Sequence, residues 1–241
     1  MPTPTFTHLF SAAIDSIGSV LFPHTCPVCG TLTENGWADS RLEPVCRACL
    51  KILSRTEHAV QRGNLSEDHF SRHPRFIRSG AFLFYKDEHV RQLVERFKYG
   101  RQPEIAYQLG REAALEWQYS SFFDDIDLIV PVPLHPRRLR ERGYNQSEQI
   151  ARGLRDVLGI PLSADNLLRV RNNPKQALKT GKERKENVRD VFSVQHPELF
   201  SRRHILLVDD VVTTGSTLRA CMEALRSCRA CRISIFTLAI A

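Results

Sequence analysis

ILLVDDVVTTGSTL (residues 205–218) contains the two patterns that together decide the fold of this chain. The apolar run at 205–208 is typical of a buried parallel strand. From Ser216 onward the pattern changes, because Leu218, Met222 and Leu225 recur at helical spacing. Residues 209–215 are therefore predicted to form a strand-to-helix turn. In an open α/β sheet such a turn lies where ligands bind, at the carboxyl end of a strand.

The composition of this turn favours an anionic ligand, above all a phosphate group. Gly215 allows a close approach of the backbone or a positive φ. Hydroxyl side chains lie beside amides that a helix start leaves free, namely Thr213, Thr214, Ser216 and Thr217. Asp209 and Asp210 would repel a phosphate, so they are predicted to face sugar hydroxyls or a metal ion. The turn thus predicts a phosphosugar site; the alternative is a capped helix with acids at its positive end.

Composition and charge narrow the class of protein. The 241 residues are 42% hydrophobic and 25% charged, which is ordinary for a soluble globular chain. The first 22 residues lack a basic start and carry Asp15, so they predict an amphipathic helix rather than a signal peptide. No apolar run approaches the ~20 residues that span a bilayer. We therefore expect a cytoplasmic protein that does not insert into membranes.

Positive charge is concentrated in one part of the chain. Residues 131–190 hold fourteen Lys and Arg against seven Asp and Glu, and this surplus equals the net charge of +7 of the whole chain. A localised basic segment favours an anionic ligand, either a polyphosphate or a nucleic acid. A solvated basic face is the alternative that charge alone leaves open.

The cysteines near the N terminus form a CxxC–x16–CxxC array, made of Cys26, Cys29, Cys46 and Cys49. This spacing is typical of a structural zinc ribbon, in which four thiolates fill a tetrahedral site and leave no position open for catalysis. Two disulfides are the alternative, but they are rare in cytosolic proteins. Three further cysteines are interpreted as ordinary buried thiols: Cys221, Cys228 and Cys231.

Alternating strand and helix patterns predict an α/β fold, with a mostly parallel sheet flanked by helices on both faces. We assign residues 1–55 to an N-terminal helix and the zinc ribbon, residues 56–79 to a polar linker, and residues 80–241 to the α/β domain. The first strand of that domain is predicted at 81–85. Residues 172–190 lack apolar periodicity and are long for a loop, which indicates a functional or mobile segment.

Three stretches together carry a resemblance to a known family. VDDVVTTGST (208–217) resembles the signature with which phosphoribosyltransferases hold phosphoribosyl pyrophosphate. With the CxxC array ahead of it, and with FKYGR (97–101) and VPVPLHPRRLRERGYNQ (130–146) between, the chain resembles the ComF family in particular. The resemblance covers nearly all of the chain, and it implies a type I phosphoribosyltransferase-like fold with an N-terminal zinc ribbon.

The resemblance also implies roles for individual residues. Asp209 and Asp210 would be catalytic residues that hold the ribose hydroxyls, with Mg²⁺ close by. The 5-phosphate would be held by the rest of the signature, which comprises Val211, Val212, Thr213, Thr214, Gly215, Ser216 and Thr217. Candidates for the pyrophosphate follow the 127–134 strand: Arg137, Arg138, Arg140 and Arg142. The 172–190 segment resembles the mobile lid of the fold, with Gln176, Lys179, Lys182, Arg184 and Lys185 available to close over the pyrophosphate.

Two functions follow from the resemblance. The first is binding of phosphoribosyl pyrophosphate or a related ribose phosphate with Mg²⁺, with phosphoribosyltransferase-type activity linked to DNA uptake or nucleotide salvage. The second is a non-catalytic competence factor that uses a vestigial transferase fold. Such a factor would bind single-stranded DNA or a partner protein such as a DNA-uptake helicase. The sequence shows neither a general base nor a pocket for an acceptor, and it leaves the oligomeric state open.

Overall fold

A computed structural model of the chain describes residues 25–33, 43–171 and 191–241. The predicted N-terminal helix and the predicted lid lie outside these ranges. The lid residues concerned are Gln176, Lys179, Lys182, Arg184 and Lys185. Packing divides the chain into two units, residues 1–53 and residues 54–241. None of the helices in the described ranges has the length and apolarity that crossing a membrane requires.

In its described residues, the first unit contains the two cysteine pairs and one helix. A turn after Cys26 is closed by the antiparallel bridge between Thr25 and Leu32. Helix α1 (Arg47–Ile52) starts directly after Cys46, whose extended backbone forms its N-cap. Cys49 lies in α1 and is buried. Each CxxC pair therefore sits on a short, defined turn of backbone.

The second unit is built around a four-stranded parallel sheet. In chain order its strands are β1 (Phe76–Phe84), β2 (Leu128–Pro131), β5 (His204–Val212) and β6 (Arg232–Ile240). Their order in the sheet is β1-β6-β5-β2, and each neighbouring pair is parallel. Two short strands, β3 (Leu167–Arg169) and β4 (Phe192–Val194), form a separate antiparallel pair.

Helices connect these strands. Their bounds are α2 (Leu65–Asp68), α3 (Glu88–Tyr99), α4 (Pro103–Trp117), α5 (Pro136–Arg142), α6 (Gln146–Leu158), α7 (Pro197–Phe200) and α8 (Ser216–Ala224), with 3-10 turns at Ser121–Phe123 and Leu225–Ser227. Residue type explains the ends of two of them, because Gly100 is the C-cap of α3 and Pro103 is the first residue of α4.

The sheet is covered by helices on both faces, as predicted. On one face Leu207 of β5 and Ile235 of β6 share a core with Leu218 of α8. On the other face the ring of Phe236 lies 5.5 Å from that of Trp117, which ends α4. Strand residues therefore alternate between two apolar layers, which explains their near-continuous hydrophobic sequence.

Helices α4 and α6 approach each other closely. A Cβ atom on Gly110 of α4 would collide with the backbone at Ile150, and one on Gly153 of α6 would collide with the backbone at Tyr107. Glycine at both positions therefore permits the contact that fixes α6 against the sheet. This matters for the site described below, because the first turn of α6 carries Ser147.

The segment predicted as a linker, residues 56–79, differs from that expectation. Strand β1 begins at Phe76, five residues before the predicted start, and α2 precedes it. The segment reads as polar because several of its buried side chains are polar and hydrogen-bonded. Asn64, only 2% exposed, caps α2 and donates through Nδ2 to the carbonyl of Ser79 at 3.0 Å. Part of the polarity of this segment therefore reflects internal hydrogen bonding and not exposure.

Candidate functional site

Asp209 and Asp210, which we call the acidic pair, lie near the C-terminal end of strand β5, beside the end of β2. The amide of Val132 donates to the carbonyl of Val208 at 2.8 Å, so the chain leaving β2 runs next to the acidic pair. The carboxyl ends of parallel strands meet at one edge of a sheet, where ligands bind in open α/β folds.

Each member of the acidic pair has a distinct partner. Oδ1 of Asp209 accepts a hydrogen bond from the hydroxyl of Ser147 at 2.9 Å, and Oδ1 of Asp210 lies 2.9 Å from Nζ of Lys98. Burial raises the pKa of Asp209 to about 7, and the negative charge of Asp210 makes the next largest contribution to this rise. Two adjacent, partly buried carboxylates therefore lie close enough to repel each other, and a divalent cation would relieve that repulsion. Oxygen donors of this kind suit Mg²⁺, so the residues fit such an ion.

Residues 213–217, which we call the hydroxyl turn, connect β5 to α8. Gly215 takes a left-handed conformation with φ of 68° and forms the N-cap of α8. No side chain among the described residues caps this helix, so its first amides are available to a ligand. Thr213, Thr214 and Ser216 are exposed, and the hydroxyl of Thr214 donates to that of Ser216 at 3.2 Å. The turn thus offers amides and hydroxyls together, the arrangement that binds phosphate groups.

The two valines of the signature play a different part. Val212 is only 1% exposed and packs in the core beneath α8. Its carbonyl accepts a hydrogen bond from Ala241 at 3.0 Å. Val211 is partly buried. The side chain of Val212 therefore anchors the turn to the sheet and does not face a ligand.

Phe70 and Arg219 support the hydroxyl turn from behind. Arg219 donates from Nη2 to the carbonyl of Thr214 at 2.7 Å and from Nη1 to the carbonyl of His69 at 3.1 Å. A Cβ atom on Gly215 would lie 3.0 Å from the ring of Phe70 and 3.2 Å from Nη1 of Arg219. A glycine is therefore required at 215 both for its φ and for the space.

The arginines that follow β2, for which a solvated basic loop was one interpretation of the sequence, lie on helix α5. Pro136 stands at its first turn, and Nδ1 of His135 accepts from the amide of Arg137 as its cap. This correction changes which arginines lie together, because side chains on a helix share a face at intervals of three and four residues.

Helix α5 and the end of α3 form a cleft of about 340 Å³, which we call the basic cleft. It is lined by Lys98, Tyr99, Arg101, Arg138, Glu141 and Arg142. The guanidinium of Arg142 lies 5.2 Å from the centre of the Tyr99 ring and donates to Oε1 of Gln146 at 2.8 Å. Lys98 belongs to this cleft and contacts Asp210, so the basic cleft borders the acidic pair.

The structure separates the four predicted pyrophosphate arginines into two groups. Arg138 and Arg142 line the basic cleft. Arg137 pairs with Glu141 at 3.0 Å, and its side chain is 69% exposed. Arg140 is exposed and lines none of the clefts described here. Of these four arginines, only Arg138 and Arg142 therefore line the cleft that borders the acidic pair.

A second cleft, of about 420 Å³, lies between the chain that follows β2 and strand β3; we call it the apolar cleft. Pro133, Leu134 and Val170 contribute apolar walls. Asn145 and Arg169 also line it. In the part of the chain that the structure describes, the Oδ1 atom of Asn145 and the Nε atom of Arg169 are buried without a hydrogen-bond partner. A pocket with apolar walls and a few unpaired polar atoms is typical of a small-molecule site. No feature of the sequence had indicated it.

In the first unit, the four predicted zinc ligands lie together. The Sγ atoms of the cluster all lie within 4.8 Å of one another, and they belong to Cys26, Cys29, Cys46 and Cys49. The Sγ atoms of Cys29 and Cys46 are 3.7 Å apart. Four sulfurs bound tetrahedrally at about 2.3 Å from zinc lie about 3.8 Å apart, so the cluster fits a structural zinc ion. Hydrogen bonding with Thr31 lowers the pKa of Cys29 to about 6, which favours the thiolate form.

The other three cysteines are buried in the second unit, as the sequence indicated. Cys221 and Cys228 are 0% exposed, and Cys231 is 2% exposed. The Sγ atom of Cys231 accepts from Nη1 of Arg75 at 3.1 Å. None of the three belongs to a metal-ligand cluster within the described ranges.

The residues that connect the parts of the site were not identified from the sequence. Lys98 lies within the FKYGR stretch but had no assigned role, and Ser147 and Arg169 were not considered. Lys98 contacts Asp210 across 112 positions of the chain, and Ser147 contacts Asp209 across 62. No spacing rule predicts contacts at that separation. The resemblance of FKYGR and GYNQ to family motifs was the available signal.

Comparison with known proteins agrees with this geometry. Residues 141–240 match the family model described as a phosphoribosyl transferase domain. Competence protein F of Haemophilus influenzae is 34% identical over 151 residues, which cover 61% of this chain and 66% of that protein. DNA utilization protein YhgH of Salmonella typhimurium is 34% identical over 149 residues, covering 61% of this chain and 65% of that one. These matches span just under two thirds of the length of the two relatives.

A longer match is found in Bacillus subtilis. Its competence protein ComFC is 27% identical over 221 residues, which cover 89% of this chain and 77% of that protein. Among solved structures, the allosteric regulatory enzyme of purine biosynthesis matches with a TM-score of 0.42 and 19% identity. That match covers 59% of this chain and 30% of the enzyme.

Proposed function

The chain belongs to the ComF family of phosphoribosyltransferase-like proteins, and from this premise we propose that it binds phosphoribosyl pyrophosphate, or a related ribose phosphate, with Mg²⁺. One observation carries the proposal. The acidic pair is followed directly by the hydroxyl turn and is bordered by the basic cleft through the contact of Lys98 with Asp210 at 2.9 Å. Groups suited to a sugar, a phosphate and a pyrophosphate thus follow one another along one edge of the sheet.

Each part of the ligand has a matching part of the site. The acidic pair accepts hydrogen bonds from the ribose hydroxyls, and the amides and hydroxyls of the hydroxyl turn hold the 5-phosphate. Lys98, Arg138 and Arg142 hold the pyrophosphate, for which the planar guanidinium is well suited because it binds two oxygens at once. When bound beside Asp209 and Asp210, Mg²⁺ supplies positive charge to the ribose hydroxyls and the pyrophosphate.

This arrangement supports a phosphoribosyltransferase-type reaction. The bond between C1 of the ribose and the pyrophosphate oxygen breaks, and the negative charge that develops on the leaving group is stabilised by Arg138 and Arg142. An acceptor then forms a new bond at C1. The apolar cleft lies next to the chain that follows β2, and we assign the acceptor to it. Relatives of the chain are named for competence and for DNA utilization, so we place the reaction in DNA uptake or use; nucleotide salvage is the other context that suits the chemistry.

Calorimetric titration with phosphoribosyl pyrophosphate, with and without Mg²⁺, tests the proposal. We expect binding that strengthens with Mg²⁺ and is lost when Asp209→Asn and Asp210→Asn are combined. The paired change Asp124→Asn with Asp127→Asn, outside the site, serves as the control for lost surface charge. The proposal fails if the wild-type protein does not bind, or if the site variant binds as well as the wild type.

A second candidate function, binding of single-stranded DNA, is favoured by one observation. Tyr99 is 74% exposed in the basic cleft, and the guanidinium of Arg142 lies over its ring. Exposed aromatic rings among cations are what single-stranded nucleic acids stack on. We expect affinity for an oligonucleotide to fall steeply with salt and to weaken on Tyr99→Ala but not on Tyr119→Ala, which changes another highly exposed tyrosine. A flat salt dependence argues against this function.

For the cysteine cluster we propose one structural zinc ion per chain. Four thiolates saturate the ion, so it activates no water, and folding of the first unit depends on it. Metal analysis of protein purified without chelator should give one zinc per chain, and Cys49→Ser should abolish it while Cys221→Ser does not. Chelation should expose the first unit to proteolysis and leave ribose phosphate binding unchanged. A zinc-free native protein contradicts the assignment.

A further inference from the structure

A third cleft lies beside the hydroxyl turn. Unlike the apolar cleft, it is lined mostly by charged and polar side chains. It measures about 830 Å³ and is formed by the segment 68–74 together with α8 and the turn after it. We call it the flank cleft. Thr214 belongs both to the hydroxyl turn and to the wall of the flank cleft, so the two are continuous. The volume lies within the range of roughly 300–1,000 Å³ that is typical of ligand sites.

The flank cleft contains a buried hydrogen-bond donor without an acceptor. The side chain of His73 is 10% exposed, and its Nδ1 atom accepts from the amide of Arg75 at 3.3 Å. Burial lowers the pKa of His73 against the opposing charge of Glu223. Because Nδ1 accepts a hydrogen bond, the neutral ring carries its proton on Nε2. Among the described residues, that Nε2 atom is buried without a hydrogen-bond partner, since Oε1 of Glu223 is 3.8 Å away. An unpaired buried donor costs stability unless a ligand satisfies it.

Cations surround this donor. Arg219 is fixed by two backbone carbonyls and, within the described chain, keeps its other N–H groups for a ligand. Arg72 is exposed and makes neither a hydrogen bond nor an ion pair with the described residues. Arg226 lies 3.3 Å from Glu223 and offsets its charge. Asp68 is the other acid of the cleft, so three arginines face two carboxylates and the cleft favours an anion.

We propose that the flank cleft holds a second phosphate group, linked to the 5-phosphate of a ribose phosphate bound at the hydroxyl turn. The inference rests on the proposed function, because it takes the hydroxyl turn as the 5-phosphate site. The ligand class is thus a ribose with a substituted 5-diphosphate. Arg219 contacts Thr214 and faces the cleft, so it lies where the bridge between the two phosphates passes. His73 and Arg72 then bind the oxygens of the second phosphate.

The test compares two ligands with the same free ribose C1. Ribose 5-phosphate carries one phosphate, whereas in ADP-ribose that phosphate is linked through a second one to adenosine. We expect calorimetry with Mg²⁺ to show ADP-ribose binding about tenfold or more tightly, as for one charge-assisted hydrogen bond. Combining Arg72→Gln with Arg226→Gln should remove that difference and leave the affinity for ribose 5-phosphate unchanged. Arg91→Gln, an exposed arginine of α3, is the matched control.

The possible outcomes separate this inference from the proposed function. If ribose 5-phosphate binds and ADP-ribose binds no more tightly, the flank cleft takes no second phosphate and only this inference is overturned. The same conclusion holds if the advantage of ADP-ribose survives in the double variant. If neither ligand binds and phosphoribosyl pyrophosphate also fails to bind, the proposed function and this inference fall together. Thermal unfolding of the double variant checks that it folds like the wild type.

Discussion

The hydroxyl turn and the basic cleft border the same acidic pair, but they are built in opposite ways. The turn is five consecutive residues whose backbone is fixed by Gly215 with φ of 68° and by Arg219 behind it. The basic cleft combines residues 98–101 with residues 138–142, and its ligand-facing groups are the ends of long side chains. One region offers backbone amides to a ligand, and the other offers the charges of long side chains.

This difference determines how each region should respond to change. A backbone site is damaged by whatever alters φ or fills the space behind it, and it is insensitive to the loss of one surface charge. A site of long cations tolerates backbone changes but loses affinity with each charge that is removed, and with added salt. The following predictions use that contrast, beginning with the largest expected effect.

Gly215→Ala should damage the hydroxyl turn most. The added Cβ meets Phe70 at 3.0 Å in a backbone conformation that disfavours alanine, so we expect ribose 5-phosphate affinity to fall by about a hundredfold through the combined strain and clash. Gly159→Ala is the control, because Gly159 has φ of 70° but nothing within 4 Å of its Cβ position. It should lower the melting temperature slightly and leave binding intact. Equal binding losses in both variants would contradict the account.

Combining Arg138→Gln with Arg142→Gln should weaken only the binding of the pyrophosphate group. Affinity for phosphoribosyl pyrophosphate should fall by roughly tenfold for each charge-assisted contact that is lost, while affinity for ribose 5-phosphate stays constant. Calorimetry with both ligands measures the contrast. The double change Arg137→Gln with Arg140→Gln on the same helix is the matched control and should alter neither affinity. If the control variant loses as much affinity for phosphoribosyl pyrophosphate as the test variant, Arg138 and Arg142 are not the arginines of α5 that face the pyrophosphate.

Ser147→Ala should have a smaller effect, because it removes one hydrogen bond to a carboxylate that stays in place. The loss of the 2.9 Å contact with Asp209 is expected to weaken ribose phosphate binding about fivefold, the effect of about 1 kcal/mol. Ser120→Ala, at the cap of the 3-10 turn that follows α4, removes hydrogen bonds with Trp117 and Phe122 and should have no effect on binding. An unchanged affinity in Ser147→Ala would mean that this hydroxyl does not orient Asp209.

His204, at the other end of β5 from the acidic pair, should change stability with pH but not ligand binding. Its Nδ1 atom lies 3.0 Å from the carbonyl of Asp125 and its Nε2 atom 2.8 Å from the hydroxyl of Ser234, and burial lowers its pKa. The unfolded chain therefore binds a proton at this position more readily than the folded one. Its contribution is fully present above the unfolded pKa of about 6.5 and is lost as pH falls below it.

Urea unfolding at several pH values between 5 and 8 measures this dependence. We expect the wild type to lose stability toward pH 5, and His204→Gln to show a shallower dependence at a lower overall stability. His196→Gln, which changes an exposed histidine, should retain the slope of the wild type. A slope that is equal in all three proteins would show that His204 does not contribute.

The features that could be predicted from the sequence follow the same contrast between a site made of consecutive residues and a site made of distant ones. The individual strands and helices, the strand-to-helix turn and each CxxC pair depend on residues close together in the chain, so local patterns were sufficient to predict them. The contacts of Lys98 and Ser147 depend on how α3 and α6 pack, which no local pattern encodes. The 56–79 segment was misinterpreted because buried, hydrogen-bonded Asn64 and Ser66 have the same letters as exposed loop residues. The apolar cleft was missed because its walls come from two separate segments.

The most direct test of the account is a crystal structure of the protein with phosphoribosyl pyrophosphate and Mg²⁺. The account predicts the 5-phosphate on the amides of residues 213–217, the ribose hydroxyls at Asp209 and Asp210, and the pyrophosphate within reach of Arg138 and Arg142. A ligand bound with its pyrophosphate in the hydroxyl turn, or bound away from β5 altogether, would contradict it.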